Sequence, residues 1–125
     1  MKPKADVLTP QELEIMKVVW DRGAITVRDV YELLRKKRKV AYTTVMTMMN
    51  ILVDKKHLQK EKVDGAYRYE PTKPKKQVVG AMVRDFVGRV FDGSARPLLL
   101  QLVEDRHLTE ADLQEIEQLI EEKLK

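Results

Sequence analysis

The pair Asp64-Gly65, set between two short alternating segments at about 58–63 and 66–70, constrains the fold more than any other feature of this chain. A two-residue connection of that kind needs positive φ at both positions. Asp tolerates that conformation and Gly adopts it freely, so the pair predicts a tight β-hairpin. Aromatic residues are only 6% of the chain's 125 residues, and Leu, Val and Met dominate the apolar set. That balance favours helices. A single hairpin placed behind three helical patterns leaves few architectures to consider.

The first pattern opens at Leu8-Thr9-Pro10-Gln11-Glu12-Leu13. Thr9 can cap, Pro10 suits the first helical position, and Glu12 closes a capping box, with Leu8 and Leu13 spaced for a hydrophobic staple. Leu13, Met16 and Trp20 recur on one face beside Ile15 and Val19, and Gly23 stops the helix. Trp20 is expected to anchor the core between the first two helices. The second helix starts at Thr26-Val27-Arg28-Asp29, an acidic form of the same cap. It buries Val27, Val30, Leu33 and Leu34 and runs into the basic cluster Arg35-Lys36-Lys37-Arg38-Lys39.

A third helix over about 42–56 places Val45, Met48, Met49 and Leu52 toward the core. Its opposite face carries Thr43, Thr44, Met46, Thr47, Asn50 and Asp54, small and polar groups with little charge, suited to base edges in a major groove. Three helices followed by a basic hairpin is the order of a winged helix, with Ala24-Ile25-Thr26 as the third strand of its sheet.

After Pro71-Thr72-Lys73-Pro74, read as a linker, the pattern changes. A long helix over about 75–92 is apolar at Val78, Val79, Met82, Val83, Phe86, Val87, Val90 and Phe91, a face wide enough to need burial on two sides. Gly93 and Ser94 suit its end and the next cap. A short helix over about 95–105 follows, then one from Thr109 with Leu113, Ile116, Leu119, Ile120 and Leu124 on one face. The stretch Leu98–Val103 is expected to be helical and largely buried. Three helices in about 50 residues bury too little surface to stand alone, so dimerisation is expected. The fold class is therefore mainly α with a small β wing. An N-terminal winged helix-turn-helix spans residues 1–72 and a C-terminal three-helix dimerisation region spans 73–125. The dimer seam is assigned to Val79, Met82, Val83, Phe86, Val90, Leu113, Ile116 and Ile120.

Charge separates the two halves in the same way. The net charge is +4, but residues 1–76 hold 18 of the 24 basic residues against 10 of the 20 acids, a net +8, which leaves −4 for residues 77–125. A basic front and an acidic rear point to a polyanion-binding module joined to a part that stays off the polyanion. Thr43, Thr44, Thr47 and Asn50, with Met46 beside them, are assigned to base reading. Lys60, Lys62 and Arg68 of the hairpin are assigned to the adjacent backbone or minor groove. Tyr42 either stacks on sugar or closes the turn before the helix. The alternative is a winged-helix interaction module using the same surface on an acidic protein, toward which only Met46 and Ile51 point.

The inventory leaves little for catalysis. With no cysteine, disulfide scaffolds and thiolate zinc sites are excluded. Ser94 is the single serine and reads as a cap, and the two histidines, His57 and His107, read as helix-end and turn residues. Met46, Met48 and Met49 could suggest a soft-metal cluster, but Met48 and Met49 sit on the core face, so adaptable core packing is the better reading. No cofactor is expected. No apolar run approaches a membrane span, and Met1-Lys2-Pro3-Lys4 begins nothing of signal-peptide type, so no membrane insertion and a cytoplasmic location are expected.

Leu8–Met16, Trp20, Ala41-Tyr42-Thr43-Thr44-Val45-Met46-Thr47 and Tyr67-Arg68-Tyr69-Glu70-Pro71 together resemble the BlaI/MecI-type penicillinase repressor family, and the resemblance extends to Leu108-Thr109 and the acidic helix behind them. The resemblance implies a bacterial transcriptional repressor that binds an inverted-repeat, double-stranded DNA operator as a homodimer. It also implies a membrane-linked protease sensor as a partner, which cuts β-lactam-induced members at an Asn-Phe bond. The equivalent pair here is Gln101-Leu102, and the chain is expected either to escape that cut or to be relieved by a protease of altered specificity. Ile51 stands where many members carry Arg, and Lys56 where they carry Gly. Copper-responsive members use Cys-x-Cys motifs, which this chain lacks.

Overall fold

The structure, a computed structural model, describes residues 7–124; Met1-Lys2-Pro3-Lys4 lies outside them. The elements run in chain order as α1 (Pro10–Arg22), α2 (Val27–Arg35), α3 (Tyr42–Asp54), β1 (Leu58–Val63), β2 (Ala66–Pro71), α4 (Lys75–Val90), α5 (Ala95–Glu104) and α6 (Glu110–Lys123). The architecture is mainly helical with one small antiparallel sheet, consistent with a winged helix followed by a helical region. By compactness the chain divides into two units, the first through Val83 and the second from Arg84. The first unit therefore takes in the first half of α4, beyond the expected linker.

Local chemistry sets the helix starts. Thr9, Thr26 and Thr109 each accept the backbone N–H three residues on, while Glu12, Asp29 and Asp112 reach back to the cap. Each box satisfies two otherwise orphaned donors. Gly23 ends α1 at φ 80°, and Ser94 sits at the N-cap of α5 but makes no side-chain cap bond.

The core of the first unit gathers Ile15, Met16 and Val19 of α1, Val27, Val30 and Leu34 of α2, and Val45, Met49 and Leu52 of α3. Leu58, Tyr69 and Val78 close it from β1, β2 and α4. The buried stripe of α1 thus differs from the expected one, because Leu13 and Trp20 flank it half-buried while Glu12 joins it. Glu12 is buried as a paired ion: its carboxylate accepts from Thr9 N–H at 2.8 Å and from the Lys55 ammonium at 2.9 Å. Burial pushes its pKa up, but the Thr9 and Lys55 contacts outweigh that and hold it below the usual carboxylate value.

Trp20 is half-buried against the core rather than its anchor between α1 and α2. Its indole N–H donates to the Lys73 carbonyl at 3.2 Å, so the segment read as a linker is fastened to α1. α3 ends at Asp54, short of the expected 56, and Lys56 follows at φ 68°. The hairpin matches the turn chemistry: Val63 pairs with Ala66, and Asp64 (φ 52°) and Gly65 (φ 83°) make the connection. The expected third strand is reduced to one bridged pair, Ile25 with Tyr69.

In the second unit α4 continues to Val90, and Asp92 and Gly93 turn the chain at positive φ. No described residue beyond Val78 is buried. Leu98–Val103 is helical as expected but not largely buried: Leu99, Leu100 and Val103 are exposed.

Candidate nucleic-acid interface

α3 presents one flank to the core and the other to solvent. Thr43, Thr44 and Thr47 are exposed, Tyr42 and Met46 are about as open, and Asn50 is half-buried. Ile51 joins this face at 40% exposure. The three methionines separate, with Met49 buried, Met48 half-buried and Met46 in solvent, so they form no common ligand set. Ala41 stands at the N-cap and offers the helix no side-chain acceptor.

The hairpin lies beside this face and is tied to it through Asn50. Asn50 Oδ1 accepts from Lys60 Nζ and from the Tyr69 phenol, both at 3.1 Å. Tyr69 is 3% exposed, and that burial, with Tyr42 and Tyr67 nearby, holds its phenol above the usual value and keeps it a donor. The register places Lys60 opposite Tyr69 and Lys62 opposite Tyr67, which share a face, and Arg68 opposite Glu61 on the other. Both lysines approach the Tyr67 ring, Lys60 at 4.8 Å and Lys62 at 6.0 Å from its centroid. The three hairpin cations grouped by sequence are therefore split over two faces.

A second basic group was not legible from charge runs. Arg28 lies 5.6 Å from the Tyr42 centroid, Tyr42 meets Tyr31 edge-on at 5.5 Å, and Arg35 lies 5.9 Å from Tyr31. Glu32 pairs with both arginines, at 3.8 Å and 2.8 Å. The signal was available as spacing, since Arg28, Glu32 and Arg35 recur along one side of α2. Within the basic cluster, Arg38, in the turn after α2, forks onto Glu14 of α1 at 2.7 Å, while Lys36, Lys37 and Lys39 stay in solvent. Arg38 holds the Glu14 carboxyl below its usual value.

The residues assigned to the dimer seam are also divided. Met82 packs against the core of the first unit and Val79 is half-buried, whereas Val83, Phe86, Val90, Leu113 and Ile120 are exposed and Ile116 is half-buried. Gln101 is exposed and Leu102 half-buried on α5. His57 is buried at the start of the hairpin and His107 is exposed in the turn after α5. Among the described residues no cluster of acids and histidines could hold a metal ion, and no helix is long and apolar enough to cross a membrane.

Comparison with known proteins agrees with this arrangement. A family model described as penicillinase repressor matches residues 8–122. The transcriptional regulator BlaI of Mycobacterium tuberculosis is 35% identical over 103 residues, covering 81% of this chain and 75% of that protein. The penicillinase repressor of Bacillus licheniformis is 26% identical over 119 residues, covering 95% and 93%. The methicillin resistance regulatory protein MecI of Staphylococcus aureus is 19% identical over 123 residues, covering 98% and 100%. With helices, hairpin and basic surface in place along that whole length, this chain belongs to the penicillinase repressor family, a family of transcriptional repressors and not of enzymes.

Proposed function

We propose that this protein is a homodimeric repressor that binds an inverted-repeat DNA operator in the cytoplasm, with α3 in the major groove and the β1–β2 wing on the adjacent backbone. The observation that carries the reading is the outer face of α3: Thr43, Thr44 and Thr47 stand in solvent on the helix whose Asn50 holds the wing's Lys60, in the half of the chain that carries net +8. Threonine offers a donor, an acceptor and a methyl group, a set that base edges can use. Lys62, Arg68 and Arg28 contribute phosphate contacts that set register. Residues 1–72 carry DNA binding and 73–125 carry dimerisation, with the start of α4 packed on the former.

The second unit supports the dimer. None of its described residues is buried, and Phe86, Val90, Leu113 and Ile120 lie open on its helices. Two copies of such a unit can cover those faces mutually, and two-fold symmetry then matches an inverted repeat. The apolar side chains of Met46 and Ile51 favour a second reading, an interaction module for an acidic protein. Selection of bound duplexes from a random DNA pool by the full-length protein separates the two. Enrichment of a palindrome is expected, and recovery of no preferred sequence would overturn the operator reading in favour of the interaction module.

A further inference from the structure

Asn50 lies on the outer face of α3, where an Asn amide can read adenine by donating from Nδ2 while accepting at Oδ1. Here that amide is already engaged. Nδ2 donates to the Met46 carbonyl at 3.1 Å, and Oδ1 accepts from Lys60 Nζ and from the Tyr69 phenol, each at 3.1 Å. An ammonium has no acceptor, so the atom facing Lys60 is the amide oxygen, and both of its lone pairs are used. A bidentate contact to adenine would have to break one of those two bonds. The partners come from α3, β1 and β2, and the backbone of Tyr69 also exchanges both its bonds with Ile25, at 2.8 and 3.0 Å. Asn50 is thus the point at which the wing is fastened to the helix.

We propose that Asn50 is a positioning residue that locks the wing onto α3 and holds the Lys60 ammonium beside the base-facing threonines, and that it reads no base itself. Lys60 is seated between Asn50 Oδ1 and the Tyr67 ring, whereas Lys62 lies farther from that ring. The angle between wing and helix is set before DNA arrives, which spares the ordering cost at the moment of binding. The inference deepens the operator reading and rests on it for the DNA measurements only.

Two variants of the full-length chain test it. Asn50→Ala removes the joint, and Tyr69→Phe removes one buried phenol oxygen and no surface atom. Without DNA, each is expected to speed hydrogen exchange of β1 and β2 amides by about 3–10-fold, the equivalent of one lost hydrogen bond, with α1 amides unchanged. With DNA, each is expected to weaken the selected duplex and a random duplex alike and to lower the salt dependence on both, because wing cations are no longer held at phosphates. The double variant should be no worse than Asn50→Ala, since both act through one joint. Unchanged wing exchange in both single variants overturns the lock. A loss confined to the selected duplex in Asn50→Ala, with Tyr69→Phe neutral, overturns the positioning role and makes Asn50 a base reader. If the unaltered chain binds no duplex, the operator reading fails, and exchange alone decides the lock.

Discussion

Thr47 stands in solvent on α3 while Lys62 stands in solvent on the wing, and the two are expected to fail differently when shortened. Thr47→Ala removes a hydroxyl and a methyl group from the base-facing surface. It should cost about 1–3 kcal/mol on the selected duplex and little on random DNA. Lys62→Ala should weaken both duplexes alike and reduce the salt slope by about one. Competition titrations on the two duplexes check this, and identical profiles for the two variants would remove the division of labour. Lys56 carries a different kind of information. Its φ of 68° is left-handed, a conformation a side chain pays for and glycine does not. The family resemblance had marked this position as one where relatives carry Gly. Lys56→Gly is therefore expected to raise stability by about 0.5–1 kcal/mol, read as a higher denaturant midpoint at unchanged slope. The bond from the Thr72 hydroxyl to its backbone carbonyl survives the change. A lowered midpoint would show that the lysine side chain contributes more than the strain removes.

At the scale of elements, α4 is where expectation and structure part most usefully. The prolines at Pro71 and Pro74 mark a chain break in composition, yet Pro71 belongs to β2 and Lys73 receives the Trp20 indole bond. Val78 then enters the core at 3% exposure, and Met82 packs against it. A chain ending at residue 72 loses that indole bond and the buried valine, whereas one ending at residue 83 keeps both. Full burial of a valine side chain contributes about 1.5–3 kcal/mol, so the shorter fragment should be about 2–4 kcal/mol less stable than the longer. Urea denaturation of the two fragments measures the difference. Equal stability would mean that the start of α4 belongs energetically to the second unit.

At the scale of the whole molecule, the missing core of the second unit is the dominant fact. Phe86 is 40% exposed and meets Phe91 edge-on at 5.8 Å. Phe86→Asp would place an unpaired charge where the proposed seam closes, which desolvation makes costly. It should sediment as a monomer, with operator affinity reduced more than non-specific affinity, because one protomer engages one half-site. An intact dimer would place the seam elsewhere. The same unit bears on induction. Gln101 and Leu102 lie within the α5 helix, with Gln101 donating to Asp105 at 2.9 Å. Helical backbone must open before a protease can thread it. The pair is also not the Asn-Phe bond of the family resemblance. Protein recovered from induced cells is expected to have its full mass, and a fragment ending at Gln101 would refute that expectation.

The punctuation of this protein is written in short-range residue patterns. The capping boxes at Thr9 and Thr26, the helix start at Thr109, the Gly23 stop and the Asp64-Gly65 turn were all legible, because each is decided by groups within four residues of one another. The order of helices and hairpin followed from them, and with it the winged-helix reading. What joins those elements was not legible. The Asn50–Tyr69 bond spans 19 residues, the Glu12–Lys55 pair 43 and the Trp20–Lys73 bond 53, and no periodicity encodes partners so far apart. Tertiary packing also decided that Glu12 rather than Leu13 lies in the buried stripe of α1, since Lys55 arrives from α3 to compensate the charge. It split Arg68 from Lys60 and Lys62, because side chains alternate across a strand and pairing sets which face meets α3. The apolar faces of α5 and α6 were visible as patterns in the sequence, but a pattern states only that a surface should leave water. The surface that covers it is decided by the assembled structure, and among the described residues Leu99, Leu100, Val103, Leu113, Leu119 and Ile120 remain exposed.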